Sequence, residues 1–325
     1  MKQKSLFLIL MVAVLVWPLV YAGKAALEEP AFNQAQSNQV AAHDHSEHEH
    51  VEPDDAAHGH ELHDETAVTT DLQVVLVPSE LAVGQNRMAV GLLAADNSMV
   101  HQAQVHFRYF DLSDPGAPQL EQEADAYPVH SPDGWTTIYA QDRSFDRAGE
   151  WGLEVQARLT GGQTAVQRIK FNVSADSRSI LPGEAAPRLH TPTLADVNGD
   201  FSRITSAWEP NPAFYQLSLD EALQNGKPTV LLLATPAFCQ TRFCGPAYEI
   251  VSELEAAYGH TMNFIHVEVY AGLPDPSQNG WELSPVMAAF GLETEPWVYV
   301  MDAAGLVIYR AEGVFTAADI MAGRP

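Results

Sequence analysis

Two cysteines in 325 residues, both inside one 18-residue stretch, constrain this chain more than any other feature in it. Residues 229–246 read TVLLLATPAFCQTRFCGP. The apolar, partly β-branched run from Val230 to Ala234 has the length and composition of a buried strand. Thr235-Pro236 ends it, Cys239 and Cys244 follow, and Gly245-Pro246 leads into a helical pattern carrying Ile250, Val251, Leu254 and Tyr258. A cysteine at a helix start is chemically special. The unpaired amides and the dipole there stabilise a thiolate, which is both the nucleophile and the metal ligand. Residues five apart on an α-helix lie ~140° apart around its axis, so the pair cannot both occupy regular helix and bond to each other. That places Cys239 in the loop and Cys244 near the first turn.

The rest of the C-terminal sequence alternates strand and helix patterns. Residues 263–270 (NFIHVEVY) and 295–301 (EPWVYVM) read as strands, the second entered through Pro296. Residues 284–290 read as a short helix, 306–310 as a strand after the Ala304-Gly305 turn, and 316–321 as a last helix. Before the cysteine strand, Ser218 and Glu221 form a capping box, and Asn225-Gly226 closes that helix. The resulting order β-α-β-α-β-β-α resembles the thioredoxin-like superfamily and implies an α/β thioredoxin-like fold over residues 213–325. The resemblance further implies a cis bond at Glu295-Pro296 against the cysteine loop and Cys239 and Cys244 as a catalytic pair. It makes Pro296 the residue that shapes the substrate groove, with Phe238 standing where the family usually has tryptophan. Arg242, between the cysteines, is expected to hold a thiolate by charge and to contact substrate. The family's Cys-x-x-Cys is widened here to four intervening residues. Two registers stay open: PAFC aligns Cys239 with the attacking position, whereas FCGP aligns Cys244 with it and puts Ala247 in place of the second cysteine.

Upstream, residues 1–22 carry Lys2, Lys4, an apolar run from Leu6 and a small-residue site at Ala22, the pattern of a secretory signal. The alternative is an uncleaved anchor, at the short end of what spans a bilayer. Either way the body is expected outside the cytoplasm. Residues 23–70 are polar and acidic without periodicity, the composition of a disordered tail. Seven histidines (His43, His45, His48, His50, His58, His60 and His63) are interleaved there with Asp and Glu. Such a tract either buffers zinc, copper or nickel weakly or is a solvated spacer. Residues 71–175 alternate in short runs separated by turn signals such as SPDG and GG. This predicts an all-β sandwich, and FDRAGEWGLEV resembles the late strands of bacterial immunoglobulin-like modules. His101, His106 and His130 on it are read as ordinary surface or core residues. Residues 176–212, rich in proline and turn residues, read as a linker.

A net charge of −25 argues against nucleic-acid binding, which calls for a basic face. Three functions remain. The first is thiol–disulfide exchange on protein thiols or disulfides outside the cytoplasm, needing no cofactor, with membrane contact only through an uncleaved signal anchor. The second is copper handling. Sco-type copper chaperones use two cysteines and a distant histidine, which nominates His260 or His266 as a metal ligand beside Cys239 and Cys244. The third is a binding module with a static disulfide.

Overall fold

The computed structural model describes residues 68–69, 72–239 and 242–322. The signal segment and the histidine-rich tract therefore lie outside the described residues. The chain divides into two compact units, Met1–Glu65 with Asp114–Pro118, and Thr66–Ser113 with Gln119–Pro325. Of the first, only the turn Asp114–Pro118 is described, closed by Ala117 N–H donating to the Asp114 carbonyl at 3.0 Å. Everything below belongs to the second.

Eight strands form one hydrogen-bonded sheet: β1 (Val68–Thr69), β2 (Gln73–Leu76), β3 (Gly84–Leu93), β4 (Ala103–Asp111), β5 (Gln119–His130), β6 (Thr137–Phe145), β7 (Gly149–Leu159) and β8 (Thr164–Val173). Their order is β1-β8-β7-β4-β5-β6-β3-β2. The long strand β5 turns the corner. Val105 to Asp111 of β4 pair with its first part, whereas Thr137 to Ala140 of β6 pair with Tyr127 to His130 at its end. The sheet so folds nearly closed on itself. Alternation supplies its filling: Val105, Phe107 and Tyr109 of β4 and Trp151, Leu153 and Val155 of β7 face the interior. There they meet Met88, Val90, Tyr139 and Phe145.

The second sheet holds β9 (Thr229–Leu233), β10 (Asn263–Val267), β11 (Trp297–Met301) and β12 (Val307–Glu312) in the order β10-β9-β11-β12. β9 and β10 are parallel, and the other pairs are antiparallel. β9, β10 and β11 are buried at every position, because both faces are covered. One face carries Val230, Leu232, Val298 and Val300 against helix α2 (Cys244–Tyr258). The other carries Leu231, Leu233, Ile265 and Tyr299 against α1 (Leu219–Ala222) and α3 (Pro285–Phe290). A last helix, α4 (Ala317–Ala322), follows β12. Ser218 and Glu221 form the expected capping box at α1. The irregular strap before α1 runs along the β12 edge, with Val307 N–H donating to Glu184 O and Ala186 N–H to Gly305 O.

The fold class expected from the sequence, an immunoglobulin-like sandwich followed by an α/β thioredoxin-like domain, is corrected by this architecture. The described residues are mostly β, 37% strand against 17% helix, with four α-helices and one nearly closed sheet among them. Two physical reasons stand out. Strand β5 has no sequence signature, being charged, largely exposed and interrupted by Pro128, yet it joins what would otherwise be two sheets into one. And except for α2 the helices are a turn or two long, so the strands dominate.

Carboxylates tie the two sheets together. Glu80 accepts hydrogen bonds from Arg178 N at 2.7 Å, Ser179 N at 3.2 Å and Ser177 Oγ at 3.1 Å. Burial pushes its carboxyl up, but these donors outweigh it and hold it below the usual range. Glu312 of β12 accepts from Ser79 N at 2.8 Å and Thr294 Oγ1 at 2.6 Å. Replacing Glu80 by alanine strands four donors, the Ser179 hydroxyl among them, so Glu80→Ala should cost about 1–3 kcal/mol in urea unfolding. A loss within about 0.5 kcal/mol, the range of ordinary surface changes, would contradict this role.

Candidate active site

The site grows from the end of β9. Leu233 pairs with Val267 of β10 on one side and Trp297 of β11 on the other. The residues just beyond those positions are therefore neighbours: Ala234 and Thr235, Glu268, and Glu295-Pro296. The Glu295-Pro296 bond is cis, as the resemblance implied. From Thr235 the chain runs to Cys239, and Cys244 opens α2. Cys239 and Cys244 form a disulfide with Cα atoms 6.1 Å apart. The two sulfurs are not equivalent. Cys244 is fully buried in the core under α2, whereas Cys239 is half-buried.

Cys244 belongs to the core that holds Val230, Leu232 and Val251. Phe243, the residue before it, packs with Val129 and Ile138 of the large sheet and with Val314. The β5–β6 hairpin thus props the start of α2. Arg242 is exposed, and its charge contributes in a small way to the field at Asp133 of that hairpin. Asp133 is held below the usual carboxylate range by a Ser131 hydroxyl, a backbone donor and, to a lesser degree, Arg242. Phe238 meets the edge of Trp281 at 5.9 Å, and Trp281 meets Tyr270 at 5.4 Å, giving a half-exposed aromatic ridge beside Cys239. Pro296 is buried.

The two candidate histidine ligands are not brought to the cysteines as donors. His260 is exposed beyond the far end of α2, roughly 20 Å along the helix from Cys244 by the 1.5 Å rise per residue. His266 is buried with both nitrogens engaged. Its Nε2 lies 2.9 Å from the Ala234 carbonyl, which can only accept, so Nε2 carries the proton. Nδ1 then accepts from the Tyr215 hydroxyl at 2.8 Å. Burial lowers His266 to about 4 and keeps it neutral.

Two carboxylates that the sequence reading passed over stand here instead. Glu268 accepts from Ser206 N at 2.6 Å, Ser206 Oγ at 3.1 Å and Thr205 Oγ1 at 3.2 Å. Burial outweighs these donors and raises it to about 7. Glu295 Oε2 accepts from Thr235 N at 2.9 Å, while its Oε1 is buried without a hydrogen-bond partner. Burial raises Glu295 to about 7 as well, against the pull of Thr235. A Glu295 carboxylate oxygen and both cysteine sulfurs lie within 4.8 Å of one another. The available signals were the glutamate directly before Pro296 and the polar His266 and Glu268 inside an apolar strand.

No family model matches the chain, and no curated protein matches it. Solved structures give faint likenesses. The PmoD soluble domain from Methylocystis sp. ATCC 49242 is 16% identical, over 32% of this chain and 90% of that one, with a TM-score of 0.23. CopC from Methylosinus trichosporium OB3b is 11% identical over 32% and 97%, with a TM-score of 0.23. A superoxide reductase variant from Ignicoccus hospitalis is 12% identical over 32% and 81%, with a TM-score of 0.21. At these scores the likenesses carry no argument about fold or chemistry.

The Glu268 environment makes a stability prediction. Its folded value of about 7 lies above the ordinary 4.5, so the folded state holds the extra proton between those values. The stabilisation is complete below about pH 4.5 and is lost as pH rises through about 7. Glu268→Gln keeps an acceptor and removes the titration. Wild type should lose on the order of 1–3 kcal/mol relative to the variant between pH 5 and 8, read by urea unfolding. Equal losses in both proteins would count against a protonated Glu268 in the fold.

Proposed function

We propose that this chain is an exported thiol–disulfide oxidoreductase acting on protein thiols or disulfides through Cys239 and Cys244. The observation that supports it most is the unequal exposure of the two sulfurs at the start of α2. A half-exposed sulfur beside a shielded one suits a pair in which one attacks and the other resolves. Starting from the dithiol, the Cys239 thiolate attacks one sulfur of a partner disulfide and the first partner thiolate leaves. The Cys244 thiolate then attacks Cys239 Sγ, and the second partner thiolate departs. Two electrons pass from the protein to the partner, and the reverse sequence oxidises a partner dithiol. In this reading the Phe238–Trp281 ridge, with Pro296 behind it, receives the partner's chain.

Loop length supports exchange over a static bridge. The cysteines are separated by 5 positions. In the chain-entropy account so short a loop contributes only ~2 kcal/mol, against ~4.7 kcal/mol for a 100-residue loop. As a staple the bond does little. An export route fits the same reading, because a disulfide persists outside the reducing cytoplasm. Among the described residues no helix is long and apolar enough to cross a membrane.

The roles are separable by trapping. Cys244→Ser should accumulate a mixed disulfide at Cys239 with a disulfide-containing peptide, whereas Cys239→Ser should form about a tenth as much or less, judged against buried-thiol reactivity. The double serine variant should reduce no insulin. Insulin reduction by that variant, or equal trapping by both single variants, would contradict the assignment.

A further inference from the structure

Glu295 is held from one side only. Its Oε2 takes the Thr235 N–H, and its buried Oε1 has no hydrogen-bond partner. A buried carboxylate oxygen without a donor is costly and calls for an explanation. The sulfurs of Cys239 and Cys244 lie within 4.8 Å of the carboxylate, but as a disulfide they offer it neither proton nor charge. The picture changes when two electrons and two protons from a partner dithiol open the bond, leaving two thiols here and a disulfide on the partner. We infer that the reduced Cys239, Cys244 and Glu295 together bind one thiophilic divalent cation, and that zinc is the metal this donor set fits.

Three observations support the inference. The first is reach. In a tetrahedral zinc site, Zn–S near 2.3 Å and Zn–O near 2.1 Å put the donor atoms roughly 3.5–3.8 Å apart. The sulfurs must part from their bonded distance, and the carboxylate oxygen starts within 4.8 Å of both. The second is charge. Two thiolates and a carboxylate gather three negative charges at a site where Cys244 is fully buried, and a dication cancels two of them. Binding releases the two thiol protons. The third is orientation. The Thr235 N–H fixes Oε2 and leaves Oε1 without a donor, as outer-shell donors orient ligating carboxylates. The fourth position then falls on the half-exposed Cys239 side, open to water.

The donor set also argues for the metal. A cuprous ion is satisfied by two soft thiolates and leaves Glu295 idle, whereas zinc accepts sulfur and oxygen together. Dependence on Glu295 is therefore the distinguishing property. The site does not require exchange to occur, only that the disulfide can be opened.

The test uses the full chain, reduced with a phosphine and titrated with Co2+, followed by competition with Zn2+. The thiolate-to-cobalt charge-transfer absorption reports sulfur ligation, so the histidine tract does not contribute to it. The band should saturate at one equivalent, disappear on zinc addition, and be absent in the oxidised protein and in Cys244→Ser. Glu295→Gln keeps an acceptor for Thr235, and its unfolding transition should match wild type. It should weaken Co2+ binding by about tenfold or more, the scale on which even outer-shell carboxylates act. No thiolate band in the reduced protein, or unchanged affinity in Glu295→Gln, would overturn the inference. A band that appears in a protein incapable of disulfide exchange would uphold the site and sink the oxidoreductase reading alone.

Discussion

The register at the end of β9 is the constraint on which the site depends. Leu233 is paired on both sides, with Val267 and with Trp297. Those pairings put Thr235, Glu268 and Glu295 at one edge of the sheet, although they come from three separate strands. A slip of one residue would turn Leu231 and Leu233 from one apolar core into the other and carry Glu295 away from the sulfurs. The register is secure because the strands are buried on both faces, so a shift would disrupt two cores at once. Thr235 is the point where the pieces meet. Its N–H goes to Glu295, and its hydroxyl oxygen accepts from Val269 N at 3.0 Å.

The large sheet acts on the same edge from outside. Val129 and Ile138 of its β5–β6 hairpin receive Phe243, which seats the first turn of α2. Cys244 itself lies in the core of the second sheet, with Val230, Leu232 and Val251. Glu80 ties the loop before β3 to the strap after β8, and Glu312 joins that loop to the second sheet.

Local patterns in the sequence reached a good part of this. The apolar run of β9, the placement of Cys239 in a loop and Cys244 at a helix start, and the Ser218 capping box were legible, because each depends on neighbours in sequence. β5 was not: exposure on its outer face and Pro128 erase the alternation by which strands are read. With it went the continuity of the eight-stranded sheet, and the expected fold class failed. Glu268 and Glu295 escaped notice for a different reason. An acidic residue in a strand reads as solvated until its neighbours across the sheet are known, and burial is a tertiary property. His260 and His266 were nominated by type and proximity in sequence; the length of α2 removes the first and the Tyr215 and Ala234 contacts engage the second.

The most direct test of the central claim is a thiol count by alkylation mass shift, with the full chain equilibrated across a dithiothreitol redox series under native conditions. The account predicts a single reversible two-electron transition at Cys239 and Cys244 while the protein stays folded, monitored by tryptophan fluorescence on the same samples. A disulfide that opens only when the fold is lost would contradict it, and the bond would then be structural.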